Sequence, residues 1–260
     1  MMDCLVEIKR VVNHVSPHRA GFHRGSACGQ PILRRAMTLV ELLVVIAIIG
    51  TLMGLLIPAV RAARASSKGV TCKNNLRQIG IGLEEHLGHL GRYPVDGKNG
   101  YGACAFLLPY VEQQALYAQL KPTESERPAI ASNASLGGTA IATFLCPTME
   151  SRRQTVLKLG RASYLGNRDL FPWNLPQTVI RDSKSETIAM GETLAEQAWI
   201  LPGTAEAIPP GDDSTFGSRH PGGANFVFCD ASVRFISENI DPVTFLALCT
   251  TNGGEPTVER

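Results

Sequence analysis

The sequence predicts an α+β protein: one long N-terminal helix, with a membrane half and an amphipathic half, packed on a C-terminal antiparallel β-sheet. Three observations carry the prediction. Residues 42–60 run 19 positions without a charge. Apolar residues at helical spacing follow from Leu76 to Leu90. Short β-rich runs separated by turns fill the second half, and no helices alternate with them, which favours an antiparallel sheet over a parallel one.

The apolar segment, TLVELLVVIAIIGTLMGLLIPAV over 38–60, holds one charge, Glu41. At about 1.5 Å per helical residue its uncharged part spans roughly a bilayer core. It is longer than the apolar part of an ordinary secretory signal, and Pro58-Ala59-Val60-Arg61 is a poor cleavage site. The segment is therefore expected to stay as a single membrane helix. Gly50 and Pro58 lie inside it. Proline removes a backbone donor and crowds the preceding turn, so a kink or loosening is expected there. A carboxylate at the edge of a membrane helix costs on the order of a few kcal/mol unless it is solvated or meets a cation. Glu41 therefore calls for interfacial solvation or for a positive partner that arrives on assembly.

Beyond the apolar run, Leu76, Ile79, Leu83, Leu87 and Leu90 recur at intervals of 3, 4, 4 and 3 and make one helical face. Gly91 and Pro94 end it. Asn74, Asn75, Gln78 and Glu84 lie on other faces and are expected in solvent, while Gly80, Gly82 and Gly88 weaken the helix locally. Gly80-Ile81-Gly82 lacks the leading strand and third glycine of a dinucleotide loop. Residues 101–120 read as a second short helical region, with Phe106, Leu107, Tyr110, Leu116 and Tyr117 as core candidates. Residues 121–139, rich in Pro, Ser, Ala and Gly, read as a surface loop. Strands are expected at 142–145, 179–181, 187–190, 224–229 and 232–236, the last two joined by a turn at Asp230-Ala231.

Composition narrows the function classes. The 260 residues make one domain, or one domain with an appendage. A net charge of +2 does not argue for a nucleic-acid partner. That balance is uneven: residues 1–36 hold six basic residues (Lys9, Arg10, Arg19, Arg24, Arg34, Arg35) against Asp3 and Glu7, and the remainder is mildly acidic. Seven cysteines are too dilute for a disulfide-dense miniprotein, and none forms a C-x-x-C pair.

The segment RRAMTLVE over 34–41 resembles the processing site of type IV prepilins. The resemblance implies a basic leader over 1–36 that is cut after Ala36, a new N-terminus at Met37, and Glu41 as the acid five residues into the mature chain. The division that follows is a leader at 1–36, a membrane and assembly helix at 37–60, its amphipathic continuation at 61–94 and an outer α+β domain at 95–260. Glu41 of one subunit would pair with the methylated Met37 amine of a neighbour, offsetting the burial cost and setting the axial register.

Further segments are similar to the planctomycete-type DUF1559 family of prepilin-like proteins. They are CKNNLRQIG at 72–80, LLPYVEQ at 107–113, FLCP at 144–147, SYLGN at 163–167, TIAMGE at 187–192 and HPGGAN at 220–225. His220, nine residues and Asp230 match the H-x9-D-G signature, with Ala231 where the family has glycine. The resemblance implies a pilin-like subunit of a type II secretion pseudopilus or a type IV pilus-like fibre. Its partners would be prepilin peptidase and other pilin-like subunits. It would cross the bacterial inner membrane once, with the globular domain in the periplasm or at the cell surface. Cys72 and Cys146 both lie in these motifs and are expected to pair in an oxidising compartment. Cys229, in an apolar run, is expected as a buried small hydrophobe.

His220 and Asp230 are the tempting chemical pair, a base with its orienting carboxylate. No nucleophile motif accompanies them, and the preferred reading is structural: His220 bonds a turn before a strand, and Asp230 makes an Asx turn. Neither an enzyme activity nor a cofactor is expected. Calcium is a lesser alternative, with Asp182, Glu192 and Asp230 as principal candidates and Asp212 and Asp213 beside them, although no calcium-loop spacing is present. The rival to filament assembly is a membrane-anchored module that binds a solute or polymer.

Overall fold

The computed structural model describes residues 38–122, 134–149, 155, 157–172, 180–210 and 216–253. The chain divides into two compact units, one ending at Leu52 and one starting at Met53. The protein is α+β, with a long N-terminal helix and a five-stranded, mostly antiparallel sheet.

Helix α1 runs unbroken over Leu39–Leu90. At Pro58, where a kink or loosening is expected, the helix does not break: the residue lies within the continuous helix. The helix is long and apolar enough to cross a membrane once, and its most apolar window is fully exposed. Thr38 and Glu41 form a capping box at its start. The Glu41 backbone N–H donates to Thr38 Oγ1 (3.3 Å), and Glu41 Oε2 accepts from the Thr38 backbone N–H (2.8 Å).

The amphipathic stretch behaves as its spacing predicts. Leu76, Ile79 and Leu83 are buried, Leu87 is half-buried, and Leu90, at the helix end, is exposed. Two expectations about the other faces are corrected. Asn75 is half-buried, and its Nδ2 donates to the carbonyls of Ala142 (3.2 Å) and Leu145 (2.8 Å). Glu84 is also half-buried and pairs with Lys184 at 2.9 Å. Gly80 and Gly82 serve close packing as well as weakening the helix. A Cβ on Gly80 would lie 2.5 Å from Val227 Cγ2, and one on Gly82 would lie 3.1 Å from Tyr110 Cβ.

The region 101–120 folds into α2 (Ala103–Leu107), a 3-10 turn (Leu108–Val111) and α3 (Gln114–Leu120). A short α4 (Ala134–Gly137) stands at the end of the stretch read as a loop. The strands are β1 (Arg161–Asn167), β2 (Ile188–Ala198), β3 (Thr204–Ala205), β4 (Gly223–Phe228) and β5 (Val233–Ser237), in the order β3-β1-β2-β4-β5. All neighbours pair antiparallel except β1 and β3.

Two of the expected strands do not form. Residues 142–144 form a 3-10 turn instead of a strand, and Asn75 binds the carbonyls of Ala142 and Leu145. Residues 180 and 181 are not in a strand, and Val179 lies outside the described residues. Strands β1 and β3 lie outside the expected set: β3 is two residues long, and β1 (RASYLGN) holds Ala, Ser, Gly and Asn with Tyr164 as its one strong strand former.

The sheet separates two apolar clusters. One holds Leu76, Ile79 and Leu83 of α1 with Tyr164, Met190 and Val227 of the sheet. The other holds Phe216, Ala224, Phe226, Phe228 and Phe245, with Phe216, Phe226 and Phe245 in edge-to-face contact. Phe245 lies on α5 (Pro242–Cys249), a C-terminal helix that the sequence reading did not include. Its signal was present: Asp241 caps the helix by accepting from the Thr244 backbone N–H (2.9 Å), and Pro242 follows at the first turn.

Candidate functional site

Two regions carry functional residues. The first is the start of α1. Ala36 and Met37 lie outside the described residues. Glu41 is fully exposed and bonds within its own first turn. A Cβ on Gly50 would meet nothing within 4 Å, so that position leaves a smooth, open helix surface.

The second region is a buried cluster in the globular unit, built from four separate stretches of chain. Cys72 comes from α1, and Cys146 from the turn after the 3-10 segment at 142–144. Glu192 stands on β2, and His220 in the turn that leads into β4. Cys72 and Cys146 are joined by a disulfide with a Cα–Cα distance of 4.8 Å. The bond ties α1 to a segment 74 residues further along the chain.

Glu192 is wholly buried. A buried carboxylate needs donors, and strand register supplies them. β2 pairs with β4 so that Gly191 faces Phe226, which brings Glu192 beside Asn225. The Asn225 backbone N–H (2.7 Å) and its Nδ2 (3.0 Å) both donate to Glu192 Oε2. The other oxygen, Oε1, lies 3.0 Å from His220 Nε2 and 3.3 Å from Cys146 Sγ. His220 Nε2 is 3.7 Å from Cys146 Sγ and 3.3 Å from Thr148 Oγ1. The His220 ring meets Glu192 in a buried position, its side chain 11% exposed.

The tempting pair of His220 with Asp230 does not form, in keeping with the preferred structural reading of both residues. The partner of His220 is Glu192. Asp230 makes the expected Asx turn, with its Oδ1 accepting from the Ser232 backbone N–H at 2.9 Å. The next residue, Ala231, has φ 61°, a left-handed conformation that glycine adopts without steric cost. The calcium set does not converge. Asp182 accepts from the Gly253 backbone N–H, Asp230 serves its own turn, and Glu192 alone of the three joins a group of ligand-type atoms. Asp212 and Asp213 lie outside the described residues. That group is Cys72, Cys146, Glu192 and His220, whose ligand atoms all lie within 4.8 Å of one another. Sequence spacing did not unite these four, although each lies inside one of the motifs quoted above.

The remaining described cysteines, Cys104, Cys229 and Cys249, are buried and free. Burial pushes each thiol up to about 12, so none is poised as a thiolate.

Among the described residues, a helix long and apolar enough for a membrane precedes an α+β unit with a disulfide-tied core. A family model described as "Protein of unknown function (DUF1559)" matches residues 61–177 and 189–243, more than half of the chain. The protein belongs to the DUF1559 family. The matched stretches contain Cys72, Cys146, Glu192 and His220 and begin just after the apolar run. No curated protein and no solved structure matches the chain.

Proposed function

We propose that this DUF1559 protein is a pilin-like structural subunit. Prepilin peptidase cuts it after Ala36, and the apolar half of α1 then bundles with the helices of other pilin-like subunits in a type II secretion or type IV pilus-like filament. The role is structural, not catalytic. The protein resides in the bacterial inner membrane until assembly, with the globular unit on the periplasmic or outer side.

The observation that carries this reading is the first half of α1. Its apolar residues are exposed along the helix, and they follow directly on a basic stretch and a single acid. Such a surface needs lipid or other apolar helices around it. The capping box adds a mechanism. Before assembly Glu41 is held by Thr38, so the carboxylate has a local partner. On assembly it exchanges that partner for the Met37 amine of a neighbour.

Mass spectrometry of the protein isolated from membranes tests the proposal. A chain that begins at N-methylated Met37 is expected. A chain that retains residues 1–36 overturns it and favours the membrane-anchored binding module. Glu41→Ala is expected to remove the protein from sheared filament fractions while leaving it in the membrane.

A further inference from the structure

The disulfide-linked cluster has the composition and spacing of a metal site in its reduced form. Two sulfurs, one imidazole nitrogen and one carboxylate oxygen converge from four chain segments. Sulfur and nitrogen with one oxygen suit zinc and similar borderline cations, and do not suit calcium or magnesium, which take oxygen. Tetrahedral zinc, with bonds of about 2.0–2.3 Å, sets its ligand atoms roughly 3.3–3.8 Å apart. Three edges of that tetrahedron are already close to this range: 3.0 Å from His220 Nε2 to Glu192 Oε1, 3.3 Å from Cys146 Sγ to Glu192 Oε1, and 3.7 Å from Cys146 Sγ to His220 Nε2. The supporting contacts are also in place. Asn225 holds Glu192 Oε2 with two hydrogen bonds, which leaves Oε1 facing the sulfur and the imidazole. With the disulfide closed, Cys146 Sγ carries no hydrogen to offer the carboxylate oxygen 3.3 Å away.

We propose that reduction of the Cys72–Cys146 disulfide turns this cluster into a four-ligand site for zinc or a similar divalent cation, held by Cys72, Cys146, Glu192 and His220. A dithiol reductant supplies two electrons and two protons. The Sγ–Sγ bond breaks, two thiols form, and the reductant closes its own disulfide. The cation then displaces the two thiol protons and takes His220 through Nε2 of the neutral imidazole, whose proton sits on Nδ1. Oxidation by a disulfide-bearing oxidant runs the exchange backwards and expels the metal. The tie between α1 and the turn at Cys146 is thus made by a disulfide in an oxidising compartment and, in a reducing one, by a cation that also holds β2 and the turn at His220. The inference does not rest on the filament reading.

The test uses the full chain in detergent, reduced with a phosphine, freed of reductant without air, and titrated with cobalt(II) and then zinc(II). The reduced protein is expected to bind about one equivalent of cobalt, with tetrahedral ligand-field bands and a near-ultraviolet thiolate-to-cobalt band, all removed by zinc. The oxidised protein is expected to show neither. Glu192→Gln and His220→Asn should each weaken cobalt binding by more than about tenfold, since even supporting residues at metal sites carry that much. Alkylation of the unsubstituted reduced chain provides a readout free of folding defects in variants. Zinc should slow modification of Cys72 and Cys146 relative to Cys104, Cys229 and Cys249. The proposal is overturned if the thiolate band is absent, if it persists in Cys72→Ser/Cys146→Ser, or if zinc leaves the alkylation of Cys72 and Cys146 unchanged. It also fails if the reduced chain loses its near-ultraviolet dichroism and zinc does not restore it.

Discussion

The two halves of α1 obey the same hydrophobic physics with opposite results. Along 39–57 the apolar side chains are exposed, Leu55 at 78%, and a Cβ on Gly54 would meet nothing within 4 Å. Along 72–83 Cys72, Leu76, Ile79 and Leu83 form one buried face, Leu76 at 0%, while Ile81 on another face stays exposed, and Gly80 lies against Val227 and Ala231. The later half finds its cover within the chain. The earlier half is uniformly apolar around its circumference, and no single flank of a folded unit could cover it. A stripe calls for a partner in the same molecule; an all-round apolar surface calls for lipid or a bundle of copies.

Leucine truncation is the strongest way to break this contrast. Leu76→Ala should destabilise the globular unit by about 2–5 kcal/mol through lost burial and a residual cavity. Leu55→Ala should leave the urea midpoint unchanged and reduce partition into lipid vesicles. Equal midpoint shifts for the two variants would sink the comparison. Removing the covalent tie, with Cys72→Ala/Cys146→Ala, should cost about 2–5 kcal/mol in the oxidised protein, read from the same denaturation curves. The loss should be small when both proteins are compared reduced and free of metal.

Glycine substitution sharpens the comparison further. Gly80→Ala forces the helix away from β4 and the turn after it, and should cost about 1–3 kcal/mol by overpacking. Gly54→Ala fills open space and should add about 0.5–1 kcal/mol of helix stability, visible as raised helical dichroism in micelles. The smallest effect concerns the turn beside Gly80. Ala231→Gly relieves a left-handed alanine and should raise the urea midpoint by the equivalent of up to about 1 kcal/mol. A lowered midpoint would mean that the contact of the Ala231 side chain with α1 outweighs its backbone strain.

Much of this was legible in the sequence. The helix end at Leu90, the buried face at Leu76, Ile79 and Leu83, and the β4–β5 hairpin were readable because each depends on local spacing and turn residues. Helix α5 is equally local, with its start marked by Asp241-Pro242. Strand β1 was hidden for a physical reason: RASYLGN contains no β-branched residue and ends in Gly-Asn, so its strand state comes from pairing with β2 and not from local propensity. Asn75 resembled a solvent-facing helix residue because spacing reports a face and does not report what packs on it.

The sequence by itself determined the apolar run, its single acid, the amphipathic helix and the family, since these are properties of neighbouring residues along the chain. The tertiary structure decided the partner of His220. Sequence distance suggested Asp230, ten positions away, whereas the pairing of β2 with β4 brings Glu192 to 3.0 Å from a distance of 28 residues. The physical reason is that strand register and turn direction, set by how the whole sheet is covered, decide which side chains meet across a sheet.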